Sequence, residues 1–285
     1  MKKTLLLLLI TAFIIPFGNA QDSGILFEIT GKKVKSPSYL FGTMHLIPKE
    51  NFLFPESLKE KVRNSEMLVM EIGGLSEQMK AIPLMMLEEG SLFDIFTAEQ
   101  LDSLFIYTEE HLGYDETKMR ASFSKMKPFV LLQLFTKEQF GENPESYEMS
   151  LEQIARQEKL EIVGLETIEE QIGFLTNLKN EDQVNMIMET IRGNVDHSET
   201  MQLIDVYLSQ DIEKIYEFTT KSAMSSEEFE EEMLTNRNMN WIKPIQKIIK
   251  KNKAFIAVGA AHLGGPNGVV ELLRQKGYTL TPVKL

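Results

Sequence analysis

Histidine follows a short apolar run and a glycine twice in this chain. Tyr39-Leu40-Phe41-Gly42-Thr43-Met44-His45 and Phe255-Ile256-Ala257-Val258-Gly259-Ala260-Ala261-His262 share the pattern Gly-x-x-His. Aromatic and β-branched residues favour a buried strand, and glycine at its end lets the backbone turn sharply or pass close to a ligand, which makes Gly42 and Gly259 candidate substrate-binding positions. Each imidazole then stands beyond the carboxyl end of its strand, the edge of an open α/β sheet where ligands bind. Imidazole is a ligand for zinc, manganese or cobalt and a general base near neutral pH. A single histidine so placed more often caps its strand through a carbonyl, but two in one context point to function.

Glu71 ends the run Met67-Leu68-Val69-Met70 and is the third candidate. It either completes a two-histidine, one-carboxylate metal site, acts as base toward water, or is a turn acid before Gly73-Gly74. Arg237 heads the segment leading to the second histidine motif. Its fork suits a substrate carboxylate or a developing oxyanion, or pairs with one of the chain's many acids. Glu166 and Gln171 divide between a role at the site and helix capping. His111 and His197 lie in polar contexts and read as surface residues, and the lone Trp241 reads as packing.

The acids outnumber the bases, 42 Asp and Glu against 30 Lys and Arg, for a net charge of −12. That argues against nucleic acid or an anionic membrane as partner. The absence of cysteine excludes thiol catalysis, thiolate metal ligands and an acylated-cysteine anchor. No Gly-x-Ser-x-Gly elbow, phosphate-binding glycine loop or His-Glu-x-x-His helix occurs. Residues 1–20 carry basic Lys2 and Lys3, an apolar stretch from Leu5 to Phe17, and small Gly18 and Ala20. They read as a secretory signal cleaved after Ala20, which predicts an exported protein, periplasmic or secreted, without a stable membrane anchor.

The elements that must position these residues are α/β at both ends of the chain. The pattern predicts a hairpin from Gly24 to Phe41, a helix over Ser57–Asn64 and a strand over Glu66–Ile72, with the crossover suggesting a parallel pairing. A mostly helical insertion follows over approximately 75–250, interrupted by a short strand at Leu160–Gly164 and closed by a long helix from Arg237. Ala254–Val258 then reads as a core strand, Pro266–Gln275 as a helix and Tyr278–Val283 as a last strand. Residues 21–285 therefore read as a single domain.

Taken together, Tyr39 to His45, Val69-Met70-Glu71, Gly164-Leu165-Glu166-Thr167 with Glu170-Gln171, Arg237-Asn238, and Val258 to Leu263 with Gly265-Pro266-Asn267-Gly268 resemble the TraB/GumN family, which includes PrgY-type proteins and the Tiki proteases. The resemblance implies an erythromycin esterase-like α/β fold whose mixed or parallel sheet is built from the N- and C-terminal parts. It also implies a metal-dependent peptidase with His45, His262 and Glu71 as metal ligands or catalytic groups, and Arg237 and Asn238 beside the pocket. The expected cofactor is a divalent ion, manganese, cobalt or zinc, and the expected substrate a peptide or small molecule. The alternatives are a metal-free His/Glu hydrolase like erythromycin esterase and a protein that binds a peptide signal without turnover.

Overall fold

Ala254–Gly259 carries no polar side chain and is buried along nearly its whole length, as a strand covered on both faces must be. In the computed structural model, which describes residues 24–285 except 32–33, 142, 194–196 and 223–226, this strand lies inside a six-stranded sheet. Numbered along the chain, the strands are β1 (Leu26–Thr30), β2 (Ser38–Thr43), β3 (Met67–Met70), β4 (Glu161–Gly164), β5 (Ala254–Gly259) and β6 (Thr279–Pro282). They stand in the order β4-β3-β5-β2-β1-β6. The expected secretory signal lies outside the described residues.

The predicted hairpin forms, with β1 antiparallel to β2, and β6 closes the other edge of β1. The pairing suggested by the β2–helix–β3 crossover is corrected. β2 and β3 run parallel but do not touch, because β5 lies between them and pairs in parallel with both. β5 comes from the far end of the chain, and its buried apolar run Ala254–Val258 suits a strand flanked on both edges. β4 adds to the outer edge of β3, again in parallel.

The fold is α/β, with helices supplying the cover. Helix Glu56–Arg63 buries Leu58 and Val62, and Asn236–Ile249 buries Trp241, Ile242, Ile245 and Ile249. These side chains join one core with the inner strands. A second core of Phe93, Leu104, Met119, Phe135 and Ile187 sits among helices of the central segment, away from the sheet. Four further buried residues, Ile72, Ala81, Ile168 and Ile172, form a third and smaller cluster. Among the described residues no helix is long and apolar enough to cross a membrane.

Candidate active site

The three central parallel strands end on the same edge of the sheet, β2 and β5 together with Thr43 opposite Gly259, and β3 two residues earlier with Met70 opposite Ala257. Chain leaving three adjacent strand ends converges over one spot. His45 follows β2, Glu71 follows β3, and β5 passes into the 3₁₀ turn Ala260–His262. A methyl group placed on Gly259 would lie 3.3 Å from Glu71 Oε1, 3.4 Å from His262 Cδ2 and 3.9 Å from His45 Nε2. Both imidazoles and the carboxylate therefore surround one glycine, whose N–H donates to Glu71 Oε1 at 2.7 Å.

Gly42 does a different job. A methyl there would stand 2.7 Å from Leu263 Cδ1 and 3.0 Å from Ala260 Cα, so the glycine lets β2 pass against the turn that carries His262. It is buried, and its carbonyl accepts a hydrogen bond from Tyr207 at 3.1 Å.

Arg237 ties the carboxylates together. Its Nη2 donates to Glu71 Oε2 at 2.5 Å and to Glu166 Oε1 at 2.7 Å, while Nε reaches both Glu166 oxygens at 3.1 Å. Nη1 donates to the Met233 carbonyl at 3.0 Å, within a π-helical turn over Glu231–Thr235. Gln171 adds a 2.9 Å hydrogen bond to Glu71 Oε2, and Trp241 Nε1 donates to Glu166 Oε2 at 3.1 Å. The helix cap is made instead by Thr167 with Glu170, which leaves Glu166 and Gln171 free for the site.

His262 is fixed from both sides of its ring. Arg237 Nη1 lies 3.2 Å from Nε2, and Asn238 Oδ1 lies 2.7 Å from Nδ1. Since the guanidinium only donates, Nε2 accepts, and the ring proton is assigned to Nδ1. Asn238 is itself buried and donates through Nδ2 to the backbone carbonyls of Asn267 at 2.9 Å and His262 at 3.3 Å. It therefore positions His262. Burial, with Arg237 nearby, lowers the pKa of His262 to about 3, so the ring is neutral near pH 7.

Burial alone would push the Glu71 carboxyl up, but the cationic form of His262, Arg237, His45 and the Gly259 N–H outweigh it and hold Glu71 well below the usual carboxylate range. Because His262 is itself neutral near pH 7, Arg237 is the permanent charge in that set. For Glu166 the balance runs the other way: burial raises its pKa despite Arg237. One arginine serves two carboxylates, and Glu71 is the more fully ionised.

His45 leans on a residue that the sequence reading does not single out. Its Nδ1 lies 3.0 Å from Glu148 Oε1, which also accepts from Thr43 Oγ1 at 2.7 Å, while Ser146 Oγ donates to Glu148 Oε2 at 3.0 Å. Glu148 opens helix Tyr147–Gln157, anchored by fully buried Tyr147 against Phe41 and Phe52. In sequence Glu148 is one more first-turn acid, and nothing there distinguishes it. Its carboxylate raises the pKa of His45 to about 9, although the imidazole is 67% exposed and solvent screens the pair. Of the other histidines, His111 stacks on Tyr107 away from this constellation, and the side chain of His197 lies outside the described residues.

Two cavities border the site. The smaller, about 240 Å³, is lined by His45, Glu71 and Glu148. The larger, about 820 Å³, lies on the Arg237 and Glu166 side and touches neither histidine. The smaller one is where two carboxylates, Glu71 and Glu148, and the His45 imidazole meet.

The donor types suit a divalent ion. Each histidine has Nδ1 engaged by an oxygen acceptor, which is how metal-ligating imidazoles are oriented, and His262 Nε2 stands 3.9 Å from Glu71 Oε1. Among the described residues no three of these donors are drawn together as tightly as a bound ion requires, and Arg237 Nη1 occupies the lone pair of His262 Nε2. Holding a metal there requires that contact to yield.

Fold and site define an α/β protein with a histidine, carboxylate and arginine constellation at the carboxyl edge of its parallel strands. The chain belongs to the TraB/PrgY/gumN family, whose model matches residues 25–282. No curated protein and no solved structure matches it.

Proposed function

We propose that this protein is an exported hydrolase of amide or ester bonds, acting on peptides with a divalent manganese, cobalt or zinc ion held by His45, His262 and Glu71. The observation that carries this reading is the shared orientation of the two imidazoles around Gly259, each tied at Nδ1 with Nε2 on the side of Glu71. When bound, such an ion lowers the pKa of water and polarises a carbonyl. Glu148 and Asn238 fix the two rings. Arg237 and Gln171 keep Glu71 ionised and oriented, and every N–H of the guanidinium is engaged by Glu71, Glu166, the Met233 carbonyl or His262, so Arg237 acts by holding these groups. The pattern of residues 1–20 supports export.

The test is turnover of a denatured-protein or peptide pool by the purified full chain. Activity is expected to vanish in chelator and return with one of the three metals. Activity that persists in chelator supports a metal-free hydrolase in its place. That second reading rests on Arg237, which already supplies positive charge between Glu71 and His262, leaving His45 with Glu148 as the acid and base.

A further inference from the structure

The cavity beside His45 has two unlike walls. One carries the reacting groups. The other is Ile72, Ala81, Ile168 and Ile172, which form the small apolar cluster outside the two main cores, with Met85 packed against it, and the uncharged amides of Gln78, Gln133 and Gln171 complete the lining. A satellite cluster that borders a cavity leaves part of its apolar surface without a protein neighbour, and such surface favours an apolar occupant. The short helix Ala81–Leu84 and the turn after it supply Ala81 and Met85 to this wall. The same stretch leaves Ile82 and Met86 at 51% and 39% exposure, so its apolar character continues to solvent.

Charge narrows the occupant further. The ionisable groups on the cavity wall are His45, Glu71 and Glu148. His45 pairs with Glu148, and Glu71 with Arg237, so the cations present are committed to the site's own carboxylates. An anionic group would meet two carboxylates, and a cationic one would find them already neutralised. Size sets a last limit. Whole small-molecule sites run to about 300–1,000 Å³, so a cavity of about 240 Å³ holds a side chain, not a complete ligand.

We infer that this cavity is a specificity pocket, receiving one uncharged apolar side chain, of the size of leucine, methionine or phenylalanine, from a peptide whose neighbouring bond lies over His45 and Glu71. Ala81 and Met85 line its apolar wall, where a change of side-chain size alters the room available. The inference rests on the hydrolase reading for the neighbouring bond, but not for the pocket itself.

The test separates the two. Binding of N-acetyl amino-acid N-methylamides to the full chain is followed by ligand-observed NMR, alongside mass spectrometry of a peptide library incubated with the same protein. The leucine, methionine and phenylalanine probes are expected to bind about tenfold or more tightly than the alanine, aspartate and lysine probes, a ratio set by the extra apolar area buried. Ala81→Leu should weaken the phenylalanine probe most, and Met85→Ala should shift preference from leucine toward phenylalanine, each read on protein that retains a cooperative thermal transition. Should Ala81→Leu fail to fold, Met85→Ala carries the comparison. Absence of binding by every probe, equal binding of charged and apolar probes, or unaltered preference in the folded variants overturns the pocket. Apolar-selective binding without cleaved peptides keeps the pocket and removes the hydrolase.

Discussion

Glu148 Oε1 lies 3.0 Å from His45 Nδ1 and is held there by Thr43 Oγ1 at 2.7 Å. The strand that delivers the histidine thus also fixes the histidine's partner. Glu148→Gln keeps the shape and removes the charge. The pKa of His45, raised in the native protein, is expected to fall by about 1 unit or more toward its ordinary value, the range seen for a close opposite charge. Titration of the His45 ring by NMR in metal-free protein measures it. A pKa that does not move means the pair is not the cause.

The signs of the two histidine shifts are opposite, and so are their effects on stability. His45 has its folded pKa raised, so its contribution is full below the unfolded value of 6.5 and is lost as pH rises through about 9. His262 has its folded pKa lowered to about 3, so between 6.5 and 3 the unfolded chain binds a proton that the folded chain refuses. Metal-free protein should therefore lose stability on acidification through that window. His262→Gln should lose less, as read by urea unfolding at a series of pH values. Equal acid sensitivity in both proteins would contradict the buried neutral ring.

Arg237 bridges Glu71 and Glu166, both nearly buried. Arg237→Ala leaves two carboxylates without their cation and should cost about 3–5 kcal/mol, the usual result of breaking a buried pair. Arg237→Lys should cost less but still lose most activity, because an ammonium cannot reproduce the fork. Denaturant unfolding and turnover, measured together, test both.

The two motif glycines should fail differently. At Gly42 a methyl meets Leu263 Cδ1 at 2.7 Å in the core, so Gly42→Ala should destabilise by about 1–3 kcal/mol. At Gly259 the methyl points among Glu71, His262 and His45. Gly259→Ala should stay near wild-type stability and lose activity. Thermal unfolding with turnover distinguishes them, and equal stability losses would show that the second glycine also serves packing.

Asn238→Ala removes the acceptor of His262 Nδ1 and should lower metal affinity about ten- to a hundredfold, the usual effect of losing an outer partner of a metal ligand. Asn238→Asp restores an acceptor and should recover much of it. Metal titration of the three proteins gives the ratios.

The strands bearing His45 and His262 are legible in sequence because apolar, aromatic and β-branched residues run to a glycine, and Glu71 is legible because it ends such a run. Arg237 stands at the head of a periodic helix, as read. The position of β5 between β2 and β3 is not legible, since sheet order depends on which strand gains most from burial across the whole fold. Glu148 is hidden for another reason. An acid in a helix's first turn serves the helix dipole in most settings, and only the approach of Thr43 and His45 gives this one a second role. Asn238 and Gly42 are legible as notable residues, but their tasks, clamping His262 and admitting Leu263, depend on neighbours distant in sequence.

The central claim is that two imidazoles from opposite ends of the chain serve one centre with Glu71. X-ray absorption at the zinc edge, on the full chain loaded with one equivalent of zinc, tests it most directly. The predicted spectrum contains two imidazole ligands with oxygen donors, and one imidazole in His45→Ala and in His262→Ala. A protein that takes up no zinc, or a spectrum that neither substitution alters, would contradict it.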